Sequence, residues 1–147
     1  MISAKIEGGA QLASGLTAFN KEIDKAIKRG VDRTALVIET GAKKKLKADG
    51  HIITGRLFSS IHAETKEGQS FNYKTKSGAS FDGSLGQKIA ADEAVIGTNV
   101  EYAPCIEYGT KNFSGDSFLG YAALQQKEKL KDRIQQEINK VIKKFSK

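Results

Sequence analysis

The chain has 147 residues, 39% of them hydrophobic, with a net charge of +7 and a single cysteine. That length fits one domain around one core, and one cysteine excludes an intrachain disulfide and a thiolate zinc cluster. No apolar run approaches the roughly 20 residues of a membrane span. Residues 1–7 also lack the apolar segment of a secretory signal, so a soluble protein assembled in a reducing cytoplasm is expected.

In chain order, Ser3 to Glu7 alternates weakly and is read as a short edge strand broken by Gly8-Gly9. From Ala10 the period changes. Leu12, Leu16, Phe19, Ile23 and Ile27 recur at three- and four-residue steps, and Val31, Ala35, Ile38, Ala42 and Leu46 resume the stripe. The pattern predicts a helix over 10–48, either one long helix or two with a kink or close packing at Gly30, ended by Asp49-Gly50. Lys43, Lys44, Lys45 and Lys47 fall in the last turns, where cations suit the negative end of the helix dipole.

Thr54 is positioned as an N-cap for a short helical turn at Arg56-Leu57-Phe58. Ser60 to Lys66 then alternates as a strand, with Ile61 and Ala63 on one side and His62 and Glu64 on the other, His62 towards solvent. The segment 67–92 mixes glycine and serine with Phe71, Tyr73 and Phe81. It is expected to form a protruding flexible loop or hairpin whose three aromatics dock on a partner.

Ala94 to Thr98 reads as a strand. Glu101 to Tyr108 reads as a helical turn that holds Pro104 in its first turn and ends at Gly109. Ser117 is placed to cap a second long helix, 117–146, with an apolar stripe from Phe118 and Leu119 to Phe145. The expected fold is therefore α+β: a single domain, 1–147, with a small, mostly antiparallel sheet packed by the two long helices.

Charge is uneven. Residues 1–50 carry +4, residues 51–116 carry −2 and residues 117–147 carry +5. Basic ends attract phosphate or an acidic protein face, and equally suit solvated helix faces. A basic module binding nucleic acid through non-specific phosphate contacts is the alternative reading they leave open.

Catalysis needs grouped polar side chains, and the sequence offers few. Neither His51 nor His62 has a nucleophile nearby in a familiar setting, and both are read as structural. Glu101 and Glu107 stand six residues apart, which places them on different faces of a helix rather than in an acid–base pair. The glycines of 78–86 lack the Gly-Lys-Ser/Thr of a phosphate loop. Cys105 is read as a small half-buried residue. No catalytic residue, metal or cofactor is expected, and hydrolysis is the weakest of the readings.

Three segments carry a resemblance. Thr54-Gly55-Arg56-Leu57-Phe58-Ser59-Ser60-Ile61 is similar to a Thr-Gly-x-Leu-x-x-Ser-Ile motif. Gly97-Thr98, Tyr102-Ala103 and Glu107-Tyr108-Gly109-Thr110 are similar to Gly-Thr-x-x-x-Tyr-Ala-x-x-x-Glu-x-Gly-Thr. Phe118-Leu119 with Ala122 and a long helix supply the third. In this order they resemble the neck and tail-completion proteins of long-tailed double-stranded DNA bacteriophages and their prophages, the gene-product-ten-like family. The chain departs from that pattern at Phe58, where an arginine is common, and at Ser117 and Tyr121, where prolines often bracket Phe-Leu-x.

The resemblance implies a non-enzymatic virion protein at the head–tail junction, assembled in the bacterial cytoplasm. Its implied partners are copies of itself in a ring, the connector or head-closure protein, and the tail-tube or tail-terminator protein. Passing genomic DNA would be touched non-specifically, and no membrane is involved. Thr54, Gly55, Leu57, Gly97, Thr98, Tyr102, Glu107, Tyr108, Gly109 and Thr110 are the expected structural or interface corner.

Overall fold

The computed structural model describes residues 9–51, 55–66, 71–75 and 77–146. The expected edge strand at Ser3–Glu7 and the expected cap Thr54 lie outside them. The architecture is α+β, with two long helices and two small antiparallel sheets.

Helix α1 runs unbroken from Gly9 to Ala48, about 60 Å at 1.5 Å per residue. Gly30 does not kink it. A Cβ built on Gly30 would fall 2.7 Å from Ile134 Cγ1 and 3.0 Å from Ile134 Cα, so this position lacks a side chain because another helix crosses there. The partner is α4, Leu119–Phe145. Buried Ala26 and Gly30 on α1, and Ala122 and Val141 on α4, keep the seam narrow.

Glu137 of α4 is the buried anion of the seam. It accepts from Arg33 at 2.6 Å and Arg29 at 3.3 Å on α1, and from Lys140 at 2.6 Å. The Lys140 hydrogen bond, against the cost of burial, does most to hold its carboxyl below the ordinary value. Helix α1 ends in a Schellman motif. Gly50 takes φ 78°, its N–H donates to Lys47 O at 3.2 Å, and the His51 N–H donates to Leu46 O at 3.2 Å.

A short helix, α2 (Arg56–Ser60), follows Gly55, whose φ of 74° is left-handed and which gives no side-chain cap. Strand β1 (His62–Thr65) pairs antiparallel with β4 (Ala94–Gly97), from His62 opposite Gly97 to Thr65 opposite Ala94. Strands β2 (Asn72–Lys74) and β3 (Ser80–Asp82) form a separate hairpin with Tyr73 opposite Phe81. Helix α3 covers Ala103–Tyr108. The core joins Ala42, Leu46, Leu57, Ile61, Tyr73, Val100, Ala103, Phe118 and Ala122, so all four helices and the hairpin contribute to it.

The two faces of β1 differ from expectation: His62 and Glu64 are buried. Alternation predicts a wet face only where nothing covers it. Here the Phe71 ring stacks on His62 at 4.0 Å, and the Leu85 N–H donates to Glu64 Oε1 at 2.8 Å. His62 Nδ1 lies 2.8 Å from the Ser60 carbonyl, which only accepts, so Nδ1 carries a proton. The other ring nitrogen lies 3.0 Å from Glu64 Oε1.

The seam makes a signed prediction. Alanine is the better helix former by about 1 kcal/mol, yet Gly30→Ala is expected to destabilise the protein, because overpacking costs about 1–3 kcal/mol. Gly15→Ala, where a Cβ meets nothing within 4 Å, is expected to stabilise it. Urea unfolding of both variants checks this, and two shifts of the same sign would refute close packing as the role of Gly30.

Candidate functional site

The segment from Gly97 to Thr110 forms a folded corner. Pro104 occupies the first turn of α3, where its missing N–H costs no helical bond. Ala103 faces the core, and Tyr102 and Ile106 pack half-buried against it. Pro104 and Cys105 lie on the opposite, solvent side of this single short helix, so Cys105 is exposed rather than half-buried. Tyr108 projects with 82% exposure.

Gly109 ends α3 as expected. Its φ is 88° and its N–H donates to Cys105 O at 3.0 Å. The chain then doubles back through a bridge between Thr110 and Phe113. Gly115, also at positive φ, meets Gly109 so closely that a Cβ on Gly115 would sit 2.5 Å from Gly109 N. Only two glycines permit this approach. The Asp116 N–H donates to Ile106 O at 2.8 Å, which brings the start of α4 beside the end of α3.

There the Glu107 carboxylate closes the corner. Oε2 accepts the Phe118 and Leu119 N–H groups at 2.9 Å each. Oε1 accepts the Gly120 N–H at 2.9 Å and the Ser117 hydroxyl at 2.7 Å. A helix start leaves N–H groups unpaired and carries partial positive charge, and Glu107 answers both needs. Ser117 was expected to cap α4. Instead Phe118 holds the N-cap position without a side-chain bond, and the cap comes from eleven residues upstream. Ser117 misses the role because the Phe118, Leu119 and Gly120 amides already donate to Glu107. Burial pushes the Glu107 carboxyl upward, but the Ser117 hydroxyl and the Leu119, Gly120 and Phe118 amides outweigh it and hold the group below its ordinary value.

The first motif meets the second in two places. Arg56 forms a two-pronged pair with Glu101, at 2.7 and 2.9 Å. Ser60, fully buried, donates to Leu57 O at 2.8 Å, and its oxygen lies 2.5 Å from the Thr98 hydroxyl. Since Ser60 has one proton, Thr98 is the donor between them, and Thr98 in turn accepts the Val100 N–H at 3.1 Å. Gly55 and Leu57 are buried, Gly97 closes the β1–β4 ladder, and Thr110 is exposed. Nothing in the sequence spacing linked Arg56 to Glu101 or Ser60 to Thr98.

The three aromatics of the arm pack on their own chain. Tyr73 is 4% exposed and belongs to the core. Phe71 covers His62, and Phe81 lies 5.6 Å from the Tyr73 ring with the Arg56 guanidinium 4.8 Å above it. Phe81 remains 36% exposed. Stacking within the hairpin satisfies these rings locally.

Near the end of α1, ligand-type atoms of Asp49, His51 and Asp116 lie within 4.8 Å of one another. His51 Nε2 stands 2.7 Å from Asp116 Oδ2, and the Lys45 ammonium donates to Asp49 at 2.5 Å. On the corner, a shallow depression of ≈ 310 Å³ is lined by Pro104, Glu107, Tyr108 and Leu119, which gives it a surface able to receive a side chain. Among the described residues no helix is long and apolar enough to cross a membrane. No protein-family model, curated protein or solved structure matches the chain.

Glu107→Ala is expected to cost about 1–2 kcal/mol, the usual loss of a helix cap, with less effect from Glu107→Gln. A carboxyl whose folded value is lowered stabilises fully above its unfolded value, near 4.5, and loses that contribution as pH falls through the lower folded value. The acid side of the stability profile should therefore be shallower in Glu107→Ala than in the parent. Thermal unfolding between neutral and acid pH measures it, and parallel profiles would remove Glu107 from the account.

Proposed function

We propose that this protein is a structural component of a phage head–tail junction, a subunit that forms or joins a ring completing the tail and linking it to the head connector. The observation that carries the reading is the convergence of the three resembling segments on one corner. Glu107 of the second caps the helix of the third, and Thr98 and Glu101 of the second hold Ser60 and Arg56 of the first. Arg56, Ser60, Thr98, Glu101 and Glu107 are engaged in holding shape, and what the corner presents outward is Tyr108 beside a shallow depression. Exposed tyrosine of this kind suits a contact between subunits. The work of such a protein is done by matching surfaces, with no bond made or broken.

A contact with passing DNA is the secondary reading, favoured by Lys127, Lys129, Lys131 and Lys143, which stand exposed along α4. It predicts DNA affinity that falls steeply with salt.

Deleting the gene from a phage or inducible prophage that carries it is expected to leave filled heads and finished tails unjoined, as seen by electron microscopy, with joining restored by the gene in trans. Joined, infectious particles from the deletion strain would overturn the proposal.

A further inference from the structure

Three side chains with metal-ligating atoms converge where α1 ends. Asp49 and His51 flank Gly50, whose positive φ turns the chain back in the Schellman motif. Asp116 stands 65 residues beyond His51 in the chain. Its own N–H, donated to Ile106 O at 2.8 Å, and the positive-φ turn at Gly115 bring it to the same place. The Phe113 ring meets the His51 ring edge-on at 5.9 Å and bounds it on one side. All three groups are half-buried and stand on backbone fixed by turns and hydrogen bonds. Among the described residues no other three such groups come together. Sequence spacing gave no sign of the cluster, because one member comes from the far side of the sheet and α3.

The arrangement already draws in positive charge. The Lys45 ammonium donates to Asp49 Oδ2 at 2.5 Å. That hydrogen bond, against the opposing effect of burial, raises the lysine above its ordinary value, and the charges of Asp49 and Asp116 add to it. Two carboxylates against one ammonium still leave an excess of negative charge. The ammonium also has a second seat within reach, since it lies 5.5 Å from the centre of the Tyr121 ring, at cation–π distance.

We propose that Asp49, His51 and Asp116 bind a divalent transition-metal ion of the zinc class, which displaces the Lys45 ammonium from Asp49 towards Tyr121. One imidazole nitrogen and two carboxylate oxygens are a donor set that zinc accepts, with water completing a tetrahedron. Calcium and magnesium prefer oxygen alone. The ligand atoms lie within 4.8 Å of one another, and donors at bond lengths of ~2.1 Å stand roughly 3–4 Å apart. Side-chain rotation covers the difference: the widest gap closes, and the 2.7 Å approach of His51 Nε2 to Asp116 Oδ2 opens. The bound ion ties the end of α1 to the segment that leads into α4, at the base of the corner. The inference is independent of the junction reading and survives its failure.

The test is calorimetric titration of the full chain with zinc chloride, alongside thermal unfolding with and without the metal. Every protein carries Cys105→Ser, so that the exposed thiol takes no zinc; the other histidine, His62, is buried. One-to-one binding is expected, with a melting temperature raised by about 5–10 °C at a roughly hundredfold excess over Kd. Asp116→Asn and His51→Gln, each shown to fold by its unfolding transition without metal, are expected to weaken binding by at least about 10–100-fold, the loss already typical of an outer-shell partner. Lys45→Met removes the competing ammonium and is expected to bind zinc more tightly than the parent. Absence of binding to the parent would overturn the proposal. So would undiminished binding to Asp116→Asn and His51→Gln, which would put the metal elsewhere, or an equal response to magnesium, which would mean unspecific attraction to carboxylates. Unchanged or weaker binding to Lys45→Met would remove Asp49 from the ligand set and refute the site as stated.

Discussion

The near approach of α1 to α4 is the constraint on which the rest of the structure depends. Two helix backbones come this close only where side chains are small, and the crossing is set by Gly30 against Ile134 and eased at Gly41, where a Cβ would fall 3.3 Å from Ala122 Cβ. Such tight packing gains many weak dispersion contacts at once. A carboxylate buried in such a seam must be matched. Glu137 is matched by cations from both helices, two arginines of α1 and Lys140 of α4. Removing one partner of a buried charge is costly, whereas the intact group adds direction more than stability. The seam thus fixes both the distance and the register of the helical pair.

The remaining elements are fitted to that pair. The small sheet lies against α1, with Glu39 of that helix accepting the Ala63 N–H at 3.0 Å. The corner shares the core with α1 through Val100 and Ala103, and is held to α2 by hydroxyls and to α4 by a carboxylate. Sheets of two strands are marginal alone. Here they persist because a helix covers one side, while the hairpin and the chain at Leu85 cover the other. Function, on the reading proposed, follows from what this economy leaves at the surface: an outward tyrosine and a basic outer face.

Much of the fold was legible in the sequence, and the failures have a common cause. Both long helices announced themselves through three- and four-residue spacing, because a one-sided stripe is a local property of the chain. The strands at His62 and Ala94, the proline-opened turn of α3 and its glycine stop were legible for the same reason. What was missed depends on partners distant in sequence. Ser117 has the chemistry of a cap, but Glu107 arrives from another helix and takes the place. His62 alternates as if towards water, but Phe71 covers it. The aromatics of the arm carry no mark of whether they will stack on each other or on a second protein. At the corner, the glycines and Tyr102 were legible as structure, whereas the pairing of Arg56 with Glu101 spans forty-five residues and left no local trace.

The exposed position of Cys105 has a practical side. It is the chain's sole thiol, it lies on a short helix whose inner face is already committed to the core, and it precedes Tyr108 by three residues, so both side chains rise from one face. A fluorophore or spin label attached to that sulfur would report from the rim of the corner without any other residue being changed. Its accessibility to a maleimide would register directly whether that face is open or covered in a finished particle. The protein thus carries a native reporter at the place where its surface chemistry is most in question.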